Sequence, residues 1–226
     1  MNTSKNLALL ATLLFAAEAQ ARNPGIVPPD HSFHGMTYSE WSAEYWKWAM
    51  GSTLETDPIA DTTGEFGALR QAGPVWFLAN NWDGTTSRTL TVPAGKFLFV
   101  PIIDPVWVNL EVLGDDPWSI RQREYVRSLH DSYMEAFDLF TCEIDGDSVS
   151  DLASYRFSTA DGDAYMVVFP DDNWFGIDAG PYGPTIDEGI YLLLRPLSVG
   201  EHTIHFTSES TEYGFPSDVT YELTVE

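Results

Sequence analysis

The first residues that could do chemistry are two carboxylates one helical turn apart. Glu40 and Glu44 fall in or beside the Trp-rich segment 41–50, where apolar residues recur with helical spacing. A carboxyl group enclosed by indole rings has a raised pKa and could act as a general acid or base. Two structural roles explain the same residues: Glu40 can complete a capping box with Thr37, and Glu44 can pair with Lys47.

A third acid, Asp61, lies in a Thr-, Asp- and Gly-rich segment that is predicted to be a loop, residues 52–73. The sequence contains no nucleophile motif and no phosphate-binding glycine loop. If the protein is an enzyme, we therefore expect a hydrolase or lyase in which Glu44 and Asp61 are the catalytic acids, placed beside Trp rings.

Calcium is the one cofactor for which oxygen ligands can be named. Asp57, Asp61 and Glu65 share the first long loop, and the segment 143–151 is also rich in acidic side chains. Neither has the residue order of an EF-hand, and an Asp-Gly hairpin turn explains the second equally well. The histidines lack a metal-binding spacing such as HExxH, so we predict no metal site and leave Ca²⁺ as an alternative.

Aromatic side chains offer a binding surface. The chain has 8 Trp, and two of them, Trp82 and Trp174, lie in segments with turn signals and are predicted to be exposed. Exposed indoles beside acids and amides are typical of sites that hold sugar rings or apolar ligands. We predict Trp82 and Trp174, together with Trp46 of the first helix, as ligand-binding residues.

The charge and cysteine content limit the partners and the source of stability. The formal net charge is −23, with 34 acidic and 11 basic residues, so the surface repels nucleic acid and anionic lipid. Such a charge suits a cationic partner, Ca²⁺ or saline surroundings. The single cysteine, Cys142, cannot form an internal disulfide, so the core must supply stability. Cys142 alternates onto the same strand face as Phe140 and Ile144, which predicts a buried, inert thiol.

The first 21 residues have the pattern of a secretory signal. Lys5 precedes a short apolar run over 7–17, and Ala19 and Ala21 occupy the positions that a signal peptidase reads. The run is shorter than the roughly 20 residues that span a bilayer. We expect cleavage near Ala21 and a secreted or periplasmic mature chain, residues 22–226, with no membrane span.

The remaining pattern predicts a β-rich domain. A first helix is bounded by Thr37 and Gly51, and a second begins near Asp116. After residue 73 short apolar runs alternate with turn signals, and the last run places alternate residues of 219–225 on one face. We therefore predict a mainly-β fold, a single-domain β-sandwich of jelly-roll or immunoglobulin-like type with two helical additions.

Several segments together resemble a family of uncharacterised secreted bacterial proteins. They are the helix WSAEYWKW (41–48), the stretches 71–79 and 88–96, and the C-terminal pair PLSVGEHTIHF (196–206) and VTYELTV (219–225). The resemblance implies export and one β-rich unit, and it brings no catalytic residues.

Three functions follow from these features. The leading expectation is a secreted or periplasmic, non-catalytic binding protein for a carbohydrate or another small, apolar ligand. The alternatives are the secreted hydrolase or lyase described above and an envelope or matrix component that assembles through sheet edges.

Overall fold

The structure, a computed structural model, describes residues 25–110, 120–159, 164–212 and 214–226. The predicted signal, residues 1–21, and the predicted start of the second helix at Asp116 lie outside these ranges. No helix in the described ranges has the length and apolar character needed to cross a membrane.

The described residues form two α-helices, α1 (Tyr38–Met50) and α2 (Ile120–Glu135), and two short 3₁₀ helices, Leu54–Thr56 and Leu152–Tyr155. The strands are β1 (Val75–Phe77), β2 (Gly84–Val92), β3 (Phe97–Ile103), β4 (Val106–Val108), β5 (Leu139–Ile144), β6 (Asp147–Ser148), β7 (Arg156–Ser158), β8 (Tyr165–Phe169), β9 (Gly180–Leu194), β10 (Gly200–Ser210) and β11 (Phe215–Val225).

The strands form two sheets that share one core. The first sheet runs β1-β3-β9-β4, and the long strand β9 also pairs with β7 and β8. The second sheet runs β2-β11-β10-β5-β6. One continuous hydrophobic cluster contains side chains of both sheets and of α1. The prediction of a mainly-β sandwich with two helical additions is confirmed.

The two sheets differ in how they meet water. In the first sheet β3 is buried along almost its whole length, because α1 packs on this sheet and the second sheet lies against it. In the second sheet β11 alternates, with Val219, Tyr221, Leu223 and Val225 buried. The predicted alternation over 219–225 is therefore confirmed, and the other face of this strand points toward solvent.

Helix α1 begins with the predicted capping box. The Thr37 N–H donates to Glu40 Oε2 (2.7 Å), and the Glu40 N–H donates to Thr37 Oγ1 (3.3 Å). The helix ends at Gly51, and most of its side chains are buried, including Trp41, Trp46 and Trp48. A helix that is apolar on two sides is thus enclosed by the rest of the fold.

Two smaller predictions are also confirmed. Cys142 is buried on β5, and burial raises the pKa of its thiol to about 12, which makes the thiol inert at neutral pH. Asp145 and Gly146 connect β5 to β6 with φ angles of 54° and 84°. Two positive φ values in a two-residue loop define a type I′ hairpin turn, which the Asp-Gly sequence favours.

Candidate ligand-binding site

A cavity of about 430 Å³ lies where several strands of the sandwich begin or end. We call it the inner cavity. Its walls come from the segment after β1, the β3–β4 connection, the ends of β10 and β11, and the inward side of α2, with Trp46 of α1 also in the lining. This volume falls in the range of about 300–1,000 Å³ that is usual for small-molecule sites.

Strand pairing places the central polar residues of this cavity. β1 and β3 are parallel neighbours, so the residues that follow them emerge at the same edge of the sheet. Asn80 follows β1 and Asp104 follows β3 directly. The Asn80 Nδ2–H donates to Asp104 Oδ1 (2.9 Å), and the Tyr45 hydroxyl of α1 donates to Asp104 Oδ2 (2.8 Å).

Asp104 has the electrostatics of a functional carboxyl group. Burial raises its pKa to about 6, although the hydrogen bonds from Asn80 and Tyr45 act to lower the pKa. The residue still borders the inner cavity. A carboxyl group of this kind can accept a hydrogen bond from a ligand hydroxyl and can exchange a proton near neutral pH.

Neighbouring amides extend the polar wall and are held rigidly. The Ser217 hydroxyl lies 2.8 Å from Asn80 Oδ1 and 2.7 Å from Asn81 Oδ1. The Asn81 Nδ2–H groups reach the main-chain oxygen of Gly84 (2.8 Å) and Thr86 Oγ1 (3.1 Å). The two side-chain amides are therefore oriented before any ligand arrives, which reduces the entropy lost on binding.

Arg88 positions this wall from inside the sandwich. Its guanidinium is 1% exposed and donates to the main-chain oxygens of four residues, Ile59, Asp61, Ala79 and Asn80. It also donates to the Tyr221 hydroxyl (2.7 Å) and lies over that ring. Arg88 thereby joins the 59–61 loop, the segment after β1 and the second sheet, and it fixes Ile59 and Asn80 in the cavity wall.

The three Trp residues predicted to bind ligand meet at one corner of this site. Trp174 lies 6.3 Å from Trp46 and 4.7 Å from Trp82 between ring centroids, in edge-to-face geometry in both pairs. Trp82 is 55% exposed, as predicted, whereas Trp46 is buried and Trp174 is only partly exposed. Trp46 and Trp82 line the inner cavity.

A second concavity of about 590 Å³ adjoins the first, and we call it the outer groove. Its lining is Met50, Leu54, Asp57, Ala60, Trp82, Val106, Trp174 and Phe175. Trp82 and Val106 belong to both linings, so the two spaces are direct neighbours.

The predicted catalytic acids lie elsewhere. Glu44 pairs with Lys47 at 2.7 Å, and both side chains are more than one third exposed. The Asp61 carboxylate accepts from the main-chain N–H groups of Thr63, Gly64 and Phe66. Burial acts to raise the pKa of Asp61, but these hydrogen bonds outweigh it and lower the pKa. Neither acid is among the described residues that line the two spaces.

His130 of α2 is a cavity residue that the sequence analysis did not single out. Its side chain is buried, lines the inner cavity, and has no hydrogen-bond partner for Nδ1 among the described protein atoms. Burial lowers its pKa to about 4, so the ring is neutral at pH 7.

A signal for the missed acid and amide was present in the sequence. Asn80 and Asp104 each follow a predicted apolar strand closely, where a polar side chain emerges from a buried sheet. Nothing comparable in the sequence distinguishes His130 from the other residues of α2.

The acidic segments considered for Ca²⁺ are used within the protein. The Asp145 carboxylate lies 2.7 Å from His202 Nδ1 and accepts from the Thr203 N–H (2.8 Å). Asp57 accepts from the Ile59 N–H (2.8 Å). Within the described ranges, no group of three or more His, Cys, Asp and Glu side chains is arranged to hold a metal ion.

A second buried carboxyl group lies away from both spaces. Asp187 of β9 is fully buried and accepts from the hydroxyl groups of Tyr191 (2.9 Å) and Thr159 (3.2 Å). Burial raises its pKa to about 6, against the effect of these hydrogen bonds. Asp187 is absent from the described linings of the inner cavity and the outer groove.

Comparison with known proteins gives no family. The chain matches no protein-family model and no curated protein. Among solved structures it is similar to a cysteine protease inhibitor from Entamoeba histolytica, with 14% identity over 67% of this chain and 96% of that one, and a TM-score of 0.26. It is also similar to PbICP-C in complex with falcipain-2, with 11% identity over 68% of this chain and 100% of that one, and the same TM-score of 0.26. Amebosin follows at 10% identity, 69% and 100% coverage, and a TM-score of 0.22. Likeness at this level carries no functional argument.

Proposed function

We propose that the mature chain is a secreted or periplasmic, non-catalytic protein that binds a small ligand, with a carbohydrate as the leading class. The observation that carries this proposal is the inner cavity, where Trp46 and Trp82 adjoin the polar wall of Asp104 and Asn80. Indole faces suit the apolar C–H face of a sugar ring, while its hydroxyl groups can both donate and accept hydrogen bonds.

The charge of the lining favours a neutral ligand over an anionic one. Asp104 is the only charged residue among the described residues of the inner cavity, because His130 is neutral at pH 7. No lysine or arginine in that described lining is present to pair with a carboxylate or phosphate. The net charge of −23 repels anions at longer range as well.

A ligand screen on the purified protein tests the proposal. Neutral mono- and disaccharides are expected to raise the melting temperature, whereas uronic acids and sugar phosphates of the same size are not. Isothermal titration calorimetry then gives the affinity of any sugar that binds. If no neutral sugar shifts the melting temperature, the proposed function fails.

Two variants test whether binding occurs in the inner cavity. Trp82→Ala removes an exposed ring from its mouth, and Asp104→Asn removes the carboxylate charge while keeping a hydrogen-bonding side chain. We expect each to weaken sugar binding about tenfold or more, since one well-placed contact contributes on the order of 1–2 kcal/mol. Tyr125→Ala is the matched control, because Tyr125 is an exposed aromatic residue of α2 outside the described cavity lining.

An enzyme of hydrolase or lyase type is the second candidate, and one observation favours it. Asp104 borders the inner cavity with a pKa of about 6, which suits a general acid or base, whereas Glu44 and Asp61 lie outside that cavity. Turnover of any sugar that binds, with a kcat that Asp104→Asn abolishes even at saturating sugar, would establish the enzyme. Binding without turnover in the wild-type protein would leave the non-catalytic function.

A further inference from the structure

The outer groove differs in chemistry from the inner cavity that it adjoins. Apart from Asp57, the described residues of its lining have apolar or aromatic side chains. Leu54, Trp82 and Phe175 are 51%, 55% and 44% exposed, and all three line this groove. A contiguous apolar concavity on a strongly acidic protein marks a binding surface, unlike single exposed apolar residues.

Among the described lining residues of the groove, the one ionisable residue is already hydrogen-bonded within the protein. Asp57 is 3% exposed and accepts from the Ile59 N–H. Burial raises the pKa of Asp57, and the hydrogen bond from the Ile59 N–H acts against this effect. The surface that the groove presents to a ligand is therefore apolar.

A second sugar unit does not suit such a surface. Its hydroxyl groups would lose water without gaining partners, and each buried hydroxyl left without a partner weakens binding. An aliphatic chain needs no partners and gains free energy for each methylene group that leaves water.

We propose that the ligand is an amphiphile whose hydroxyl-rich head occupies the inner cavity and whose aliphatic tail occupies the outer groove. This inference rests on the proposed function and adds the tail to it. Trp82 and Val106 line both spaces, so one molecule can pass from the polar wall at Asp104 to the apolar side chains of Leu54 and Phe175.

A homologous series of n-alkyl β-glucosides, from methyl to octyl and kept below micelle-forming concentrations, tests the inference by calorimetry on the purified protein. We expect affinity to rise about fourfold for each added methylene group until the groove is filled, and then to level off. Glucose itself is expected to bind more weakly than octyl glucoside.

Leu54→Asp introduces a charge into the outer groove at an exposed position. We expect it to abolish the dependence on chain length and to leave the affinity for glucose unchanged. Val199→Asp is the matched control, because Val199 is an apolar residue with 73% exposure that is absent from the described linings. It is expected to keep the full chain-length dependence.

The outcomes, with octanol added as a probe that has a tail and no sugar head, distinguish failure of the tail proposal from failure of the proposed function. Equal affinity for glucose and for every glucoside overturns the amphiphile and leaves the proposed function standing. Binding of octanol with no binding of glucose or methyl glucoside overturns both the head and the proposed function. A protein that dimerises in sedimentation, and that becomes a monomer in Leu54→Asp, overturns the tail because a second copy then covers the groove. Binding by no member of the series overturns both proposals.

Discussion

Asp104 and Asp187 are two carboxyl groups in nearly the same electrostatic situation, yet of the two only Asp104 belongs to the described lining of the inner cavity. Burial raises both pKa values to about 6, and each carboxylate accepts a hydrogen bond from a tyrosine hydroxyl. Asp187 lies in the middle of β9 and is fully buried by its neighbours. Asp104 follows the end of β3 and lines the inner cavity. A perturbed pKa therefore does not identify a site by itself, and access to the carboxyl group decides between structure and chemistry.

Removing the two carboxyl groups should give the largest difference between these regions. Asp187→Ala removes the acceptor of the Tyr191 hydroxyl group and one of the two acceptors of the Thr159 hydroxyl group in a sealed space, and we expect it to lower the free energy of unfolding by about 3–4 kcal/mol. Asp104→Ala should lower the free energy of unfolding by about 1 kcal/mol, because water that enters the inner cavity can accept the hydrogen bonds of Tyr45 and Asn80. Urea denaturation at pH 5, where both carboxyl groups are largely protonated, measures both. Equal losses would show that Asp104 is as sealed as Asp187.

The pH dependence of stability sharpens the comparison. Both folded pKa values lie above the unfolded value of 3.8, so the folded protein keeps protons that the unfolded chain releases. The free energy of unfolding should therefore gain as the pH falls from 7 to about 4, and that gain is lost as the pH rises through about 6. The Asp187 contribution is at most about 3 kcal/mol, and that of Asp104 is smaller because the cavity screens its charge.

The individual contributions can be isolated by neutral variants. Denaturation curves at several pH values give the free energy of unfolding as a function of pH. Between pH 7 and pH 4 its slope is expected to fall more in Asp187→Asn than in Asp104→Asn, each relative to the wild-type protein. If neither variant changes the slope between pH 7 and pH 4, the two carboxyl groups do not have raised pKa values.

Removing the tyrosine hydroxyl groups gives a smaller effect of the same sign. Tyr191→Phe removes one hydrogen-bond donor to Asp187 in a fully buried place, and we expect a loss of about 1–1.5 kcal/mol. Tyr45→Phe should cost about half as much, since water can reach Asp104 from the inner cavity. Melting temperatures at pH 7 provide the comparison, and a larger loss in Tyr45→Phe would contradict it.

The smallest effect on stability is expected from the exposed carboxyl group of Asp145. Its pKa is lowered, so its protonation in acid reduces the stability, whereas the two buried carboxyl groups have raised pKa values and gain stability in acid. The hydrogen bond that His202 donates to the Asp145 carboxylate raises the pKa of His202, and the same bond lowers the pKa of Asp145 against the effect of burial. The pair stabilises the fold below the unfolded pKa of the histidine, loses this effect as the pH rises through the raised pKa of His202, and also loses it when acid protonates Asp145. We expect less than about 1 kcal/mol, because Asp145 is exposed. His202→Gln should remove the difference in melting temperature between pH 6 and pH 8 that the pair produces.

Local signals predicted the elements well. The Thr37–Glu40 capping box, the alternating residues of 219–225 and the Asp145-Gly146 turn each depend on neighbours a few residues apart. The structure has each of them where the sequence predicts it. The exposure of Trp82 follows from the same kind of signal, since a turn residue has little opportunity for burial.

The inner cavity could not be predicted in this way. Asn80 and Asp104 meet because β1 and β3 pair in parallel, and His130 lines the same cavity because α2 contributes to its wall. These are contacts between distant parts of the chain. The hydrophobic periodicity and the secondary-structure propensities of a sequence do not predict such contacts. The sequence therefore pointed to Glu44, an acid with a helical neighbour of opposite charge, and missed Asp104, whose partners lie on other elements.

The bonds of Arg88 have a consequence for how the fold responds to acid. If Arg88 were bound to carboxylates, protonation of those carboxylates in acid would weaken the ion pairs. Its acceptors include the main-chain oxygens of Ile59, Asp61, Ala79 and Asn80, which do not titrate. Acidification can then neutralise Asp104 and change the charge of the inner cavity while the residues behind it keep their positions. If the cavity binds a ligand as proposed, a change of pH could release that ligand without unfolding the wall.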